Sequence, residues 1–68
     1  MYQIIGIERG QRRVIVATPK NAREALTHYR AAQNLPFASI VIEPPEGGEI
    51  DGFELSRRAE REARATYE

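Results

Sequence analysis

Two short patterns divide this chain. Asn21-x-x-Glu24 and Asp51-x-x-Glu54 are both capping boxes. In such a box the first side chain accepts a hydrogen bond from the backbone N–H three residues on, and the acid reaches back to the start. They fix two helix beginnings. After Asn21, the residues Ala22, Ala25, Leu26, Tyr29 and Ala32 fall at spacings of three and four and make one apolar stripe. Thr18-Pro19 is an alternative start, because proline suits the first helical position. Asn34 suits a left-handed cap, Leu35 a contact back onto Tyr29, and Pro36 forbids continuation. After Asp51, the pair Ile50 and Leu55 is placed as a hydrophobic staple, and Leu55, Ala59, Ala63 and Tyr67 form a narrow stripe, mostly alanine.

What lies outside the two helices is short and rich in β-branched residues. Tyr2 to Glu8 and Arg13 to Thr18 read as strands, and Gly10-Gln11 between them suits a two-residue type II′ turn. That register sets Ile7 against Val14, Ile5 against Val16 and Glu8 against Arg13. Phe37 to Glu43 reads as a third strand, stopped by Pro44-Pro45 and followed by the turn Glu46-Gly47-Gly48-Glu49. The fold class is therefore α+β, in the order β-β-α-β-α. A right-handed crossover brings the third strand beside the first, giving a three-stranded, mostly antiparallel sheet of order 2-1-3 with two helices.

The 68 residues form a single domain, 1–68. A chain this small buries only ~60% of the surface its unfolded form exposes. Disulfides, metals and partner subunits are the usual supplements. With no cysteine and one histidine, disulfides, thiolate zinc and His-rich metal sites are excluded, so no metal or cofactor is expected and a second chain remains. Met1-Tyr2-Gln3 carries no basic leader and no apolar run approaches a membrane span; the expectation is a cytoplasmic protein without a membrane partner. Net charge is zero but unevenly spread: residues 1–42 carry an excess of four positive charges and residues 43–68 an excess of four negative ones. Self-solvation or attraction within the fold accounts for this.

Alternation along the strands assigns Ile5, Ile7, Val14, Val16, Ile40 and Ile42 to the face beneath the first helix. The opposite face then carries Tyr2, Ile4, Gly6, Ile15, Ala17 and Val41, with Glu8, Arg13, Ser39 and Glu43 at its margin. A solvated sheet face is normally polar, so this one calls for a cover. Either the last helix wraps over it, or a second copy packs there as a homodimer, with Tyr2, Ile4, Ile15 and Val41 as anchors and Glu8 and Arg13 at the rim. The narrow stripe of the last helix favours the dimer.

No pattern of catalytic residues emerges. His28 lies beside the stripe of the first helix without an evident orienting partner. Glu43, Glu46, Glu49 and Asp51 fit no calcium-loop spacing. Gly47-Gly48 precedes a helix, but the surrounding acids would repel phosphate. A non-enzymatic interaction module is expected, with no small-molecule substrate. The alternative is weak nucleic-acid binding through Arg9, Arg12 and Arg13 at the hairpin tip, helped by Arg57 and Arg61. Glu54–Arg58, Arg58–Glu62 and Glu60–Arg64 are spaced as ordinary helix ion pairs.

Overall fold

A computed structural model describes residues 1–66, with Tyr67 and Glu68, and hence the last position of the second apolar stripe, outside the described residues. The elements are β1 (Gln3–Ile7), β2 (Arg13–Ala17), α1 (Ala22–Ala32), β3 (Ser39–Glu43) and α2 (Gly52–Thr66). The sheet order is β2-β1-β3, and both neighbours of β1 are antiparallel to it. This is the expected α+β fold.

Both capping boxes start their helices. Asn21 accepts from the Glu24 N–H at 2.9 Å and Asp51 from the Glu54 N–H at 2.8 Å. The return contact differs. Glu24 accepts from the Lys20 N–H at 3.3 Å, and Glu54 turns instead to Arg58 at 3.0 Å. The first helix ends otherwise than expected. Among the described non-glycine residues only Gln11 has a positive φ, so Asn34 is not a left-handed cap. The chain tightens into i→i+3 bonds instead: the Asn34 N–H reaches the Ala31 carbonyl at 3.1 Å and the Leu35 N–H that of Ala32 at 3.0 Å. Leu35 stays largely exposed.

The hairpin corrects the expected register. Arg9, Gly10 and Gln11 form a three-residue loop, not a two-residue one. The Gln11 N–H donates to Glu8 at 2.8 Å, Gln11 takes φ 63°, and the Glu8 N–H donates to the Arg12 carbonyl at 2.9 Å. The Glu8 partner is thus Arg12, Ile7 faces Arg13, Gly6 faces Val14 and Ile5 faces Ile15. A slip of one residue turns every side chain of a strand over. The slip ends at a bulge, where Ala17 rather than Val16 pairs with Ile4. The extra residue lets both Val16 and Ala17 pack against the core.

The faces are consequently exchanged on β1 alone, while Val14 and Val16 of β2 and Ile40 and Ile42 of β3 keep the helix side. The core holds Tyr2, Ile4, Ala22, Ala25, Ala32, Ile42, Leu55 and Ala59, with Val16, Leu26, Tyr29, Ile40 and Ile50 packed against it. Both helices lie on this one side. Leu55 and Ala59 of α2 share the core with Ala22, Ala25 and Ala32 of α1. The less favoured alternative, in which α2 wraps over the other face, does not occur, and Ile5 and Ile7 do not lie beneath α1. The thinnest dimension is 17 Å, enough for one sheet and one helix layer.

The third strand is shorter than expected because Phe37 leaves it. The Ala38 N–H still reaches the Ile7 carbonyl at 2.7 Å, but the Phe37 ring lies against Gly6. A β-carbon on Gly6 would stand 2.6 Å from three ring carbons. Gly6 thus belongs to the helix side, where its missing side chain makes room for an aromatic ring.

Candidate interaction surface

With both helices on one side, the sheet keeps an open face built by alternation. It carries Gln3, Ile5 and Ile7 from β1, Arg13 and Ile15 from β2, and Ser39, Val41 and Glu43 from β3. Ile15 and Val41 flank Ile5 as its direct neighbours on either strand. Ile5 is buried, at 4% exposure, although no helix covers it. Ile15 stands 60% exposed. Arg13 and Glu43 occupy opposite corners, one on each edge strand, and meet at 3.1 Å. Their contact crosses β1 over the apolar centre, which explains how Ile5 is shielded.

Three of the six expected interface residues, Tyr2, Ile4 and Glu8, fall in different places. The placing of Tyr2 and Ile4 on the open face is corrected: at 7% and 0% exposure they belong to the core beneath the helices. Glu8 sits at the hairpin loop, 3.8 Å from Arg12. Arg13 lies on the open face. Ile15 and Val41 do share one face, but it is the face of Ile5, not of Ile4. Ile5 and Ile7 are the members that the sequence reading missed, because the assumed loop length placed them under α1.

The arginines singled out for nucleic acid are largely matched by carboxylates. Arg12 meets Glu8 at 3.8 Å and Arg13 meets Glu43. Arg57 and Arg61 converge on Glu54 at 3.9 and 3.6 Å. Arg9 makes no ion pair among the described residues. The acidic run is likewise dispersed: Glu43 is engaged by Arg13, Glu46 by Arg58, and Asp51 caps α2. His28 is exposed on α1, with no hydrogen bond or ion pair among the described residues.

Two side chains tie the helix layer together. Arg58 is flanked by Glu46, Glu54 and the Tyr2 hydroxyl, the last at 3.5 Å. Its hydrogen bonds to the Glu46 carboxylate hold that group below its ordinary pKa of 4.5 and raise the guanidinium's own. Glu62, spaced along α2 to face Arg58, reaches across to the other helix. Its two oxygens accept from the Ala22 N–H at 2.8 Å and the Arg23 N–H at 3.1 Å. The carboxylate therefore sits on the first turn of α1, where free N–H groups and the helix dipole favour an anion.

No family model, no curated protein and no solved structure matches this chain. Among the described residues, no helix is long and apolar enough to cross a membrane.

Proposed function

We propose that this chain is a non-enzymatic protein-interaction module that associates with a second copy of itself through the open sheet face. The observation carrying the reading is Ile15, 60% exposed beside Ile5 and Val41 on a sheet face that neither helix covers. Apolar side chains grouped inside a polar rim mark interaction sites more often than free surface.

Charge favours a second copy as the occupant. The face carries one cation and one anion at opposite corners. Turning one copy over about the other diagonal of the face sets each Arg13 above Glu43 of the second copy, Val41 above Ile7 and Ile5 above its own counterpart, with Ile15 at the edge of this apolar centre. Such a two-fold arrangement is self-complementary. The nucleic-acid reading has less behind it, since four of its five arginines already face carboxylates within 4 Å.

The test is molar mass by sedimentation across a concentration series, for the natural chain and for Ile15→Glu. The natural chain is expected to gain mass with concentration. Ile15→Glu is expected to remain a monomer with an unchanged melting temperature, because an exposed site tolerates charge in the monomer. A natural chain that stays monomeric throughout, or an Ile15→Glu variant that associates equally well, overturns the reading.

A further inference from the structure

The helix layer carries a second apolar surface, unrelated to the sheet face. Arg23, Leu26, Arg30 and Gln33 are spaced by three and four along α1, and Phe53, Ser56 and Glu60 are spaced likewise along α2. The helices run antiparallel, since Gly52 abuts Tyr29 while Glu62 caps the start of α1. The two stripes therefore face each other across an open groove. It consists of two hollows of about 510 and 380 Å³ that share Leu26, Arg30 and Ser56, and so run together. Leu26, Tyr29 and Ala59 contribute apolar lining. Phe53 stands at one wall, 84% exposed, the most exposed large apolar side chain in the molecule's described part.

An aromatic ring that a fold leaves in water does nothing for the monomer, but aromatic side chains are the usual anchors of interfaces. Charge narrows the partner. The carboxylates along the groove are occupied: Asp51 accepts from the Glu54 N–H, and Glu60 pairs with Arg64 at 3.3 Å. Arg23 and Arg30 have no carboxylate within ion-pair distance among the described residues. The guanidinium charge not held in an ion pair therefore lies on the α1 wall, at Arg30 and at Arg23, the latter beside the Glu62 carboxylate that accepts from its backbone N–H. From Arg23 to Gln33 the wall runs about 15 Å, close to three helical turns.

We infer that the α1–α2 groove docks an amphipathic helical segment of a partner protein, whose apolar stripe lies on Phe53, Leu26 and Tyr29 and whose flanking acids meet Arg23 and Arg30. This is the helix-in-groove mode of recognition, read as anchors one turn apart. The inference stands apart from self-association, which uses the opposite side of the molecule.

The test uses two fluorescent probe peptides of about 15 residues, long enough to lie along the whole groove. Both carry leucines at i, i+4, i+7 and i+11. One has glutamates flanking that stripe, the other lysines in their place. Anisotropy titrations are expected to show the glutamate peptide binding at least about tenfold tighter than the lysine peptide. Arg23→Glu with Arg30→Glu should reverse that preference, and Phe53→Ala should weaken both peptides. All three positions are exposed, so the variants keep the fold. Amide shift mapping should place the contact on residues 23–33 and 52–60 and leave Ile15 and Val41 unmoved. Equal binding of the two peptides, indifference to the arginine reversal, shifts on the sheet face, or no binding up to ~1 mM peptide overturns the inference.

Discussion

Gly6 is the one position of β1 where a side chain cannot be added without moving something large. Its neighbour is the Phe37 ring, at 2.6 Å from where a β-carbon would stand. Phe37 is itself partly buried between the sheet and the end of α1. Gly6→Ala is therefore expected to destabilise the domain by about 1–3 kcal/mol, the usual cost of overpacking. Denaturant midpoints check this. The partner test is sharper: with Phe37→Leu in place the penalty of Gly6→Ala should shrink, since contacting residues are not additive. An undiminished penalty would place the cost in the strand backbone instead. Glu46 makes a different residue-scale prediction. Hydrogen bonds from Arg58 hold its carboxyl below the ordinary value of 4.5. Near that value the unfolded chain thus binds more protons than the folded one, so stability rises with pH there. The contribution is complete above the unfolded value and is lost as pH falls through the folded one. The stability gap between the natural chain and Glu46→Gln should therefore be open at neutral pH and close on acidification below 4.5, read from urea midpoints at both pH values.

At the scale of elements, α1 depends on α2 for its beginning. Asn21 satisfies one N–H of the first turn, and Glu62 satisfies those of Ala22 and Arg23. Ala22 is fully buried, so no water replaces Glu62 there without rearrangement. Glu62→Ala is expected to cost about 1–2 kcal/mol, as loss of a helix cap does, and to loosen the first turn of α1 in amide exchange before the rest of that helix. Exchange rates in α1 that match the natural chain would show that Glu62 is dispensable. This contact also marks where reading the sequence stops. Glu62 stands four residues after Arg58, so local spacing assigns it an ion pair within its own helix. The antiparallel packing of α1 and α2 brings it to the first turn of α1, which local spacing does not show. Element order, helix starts and sheet order were legible because caps, prolines and β-branched runs act locally. The site was half legible: Ile15, Val41 and Arg13 share the open face, while Tyr2 and Ile4 do not. One loop residue explains the difference. Gln11 adopts φ 63°, the loop holds three residues, and β1 is turned over relative to β2, which brings Ile4 and Gly6 to the helix side and Ile5 and Ile7 to the open one. Nothing in Gly10-Gln11 distinguishes that turn from the shorter one. Gly6 did carry a signal, since a glycine inside a strand often marks a close approach.

For the whole molecule, area sets how strongly two copies can hold each other. Three strands spaced ~4.8 Å apart and five residues long at ~3.3 Å each present a face of about 240 Å². Even doubled for side-chain relief and counted on both partners, it falls near 1,000 Å², the lower edge of specific interfaces. Ile5 contributes little further burial, since it is already covered in the monomer. Ile7 and Val41 therefore provide most of the new apolar contact, with Ile15 flanking it. The Arg13–Glu43 pair exists within one copy as well as between two, so exchanging partners gains orientation more than energy. The association expected is weak, with a dissociation constant of ~0.1 mM or above. Raising salt from about 50 to about 500 mM should change it only modestly, because screening weakens the Arg13–Glu43 pair within one copy as it does between two. Sedimentation velocity from low micromolar to millimolar chain checks both statements. Mass should rise late and smoothly towards the dimer. A dimer already complete at nanomolar concentration would require a larger buried surface than this face can offer, and would move the contact to another part of the molecule.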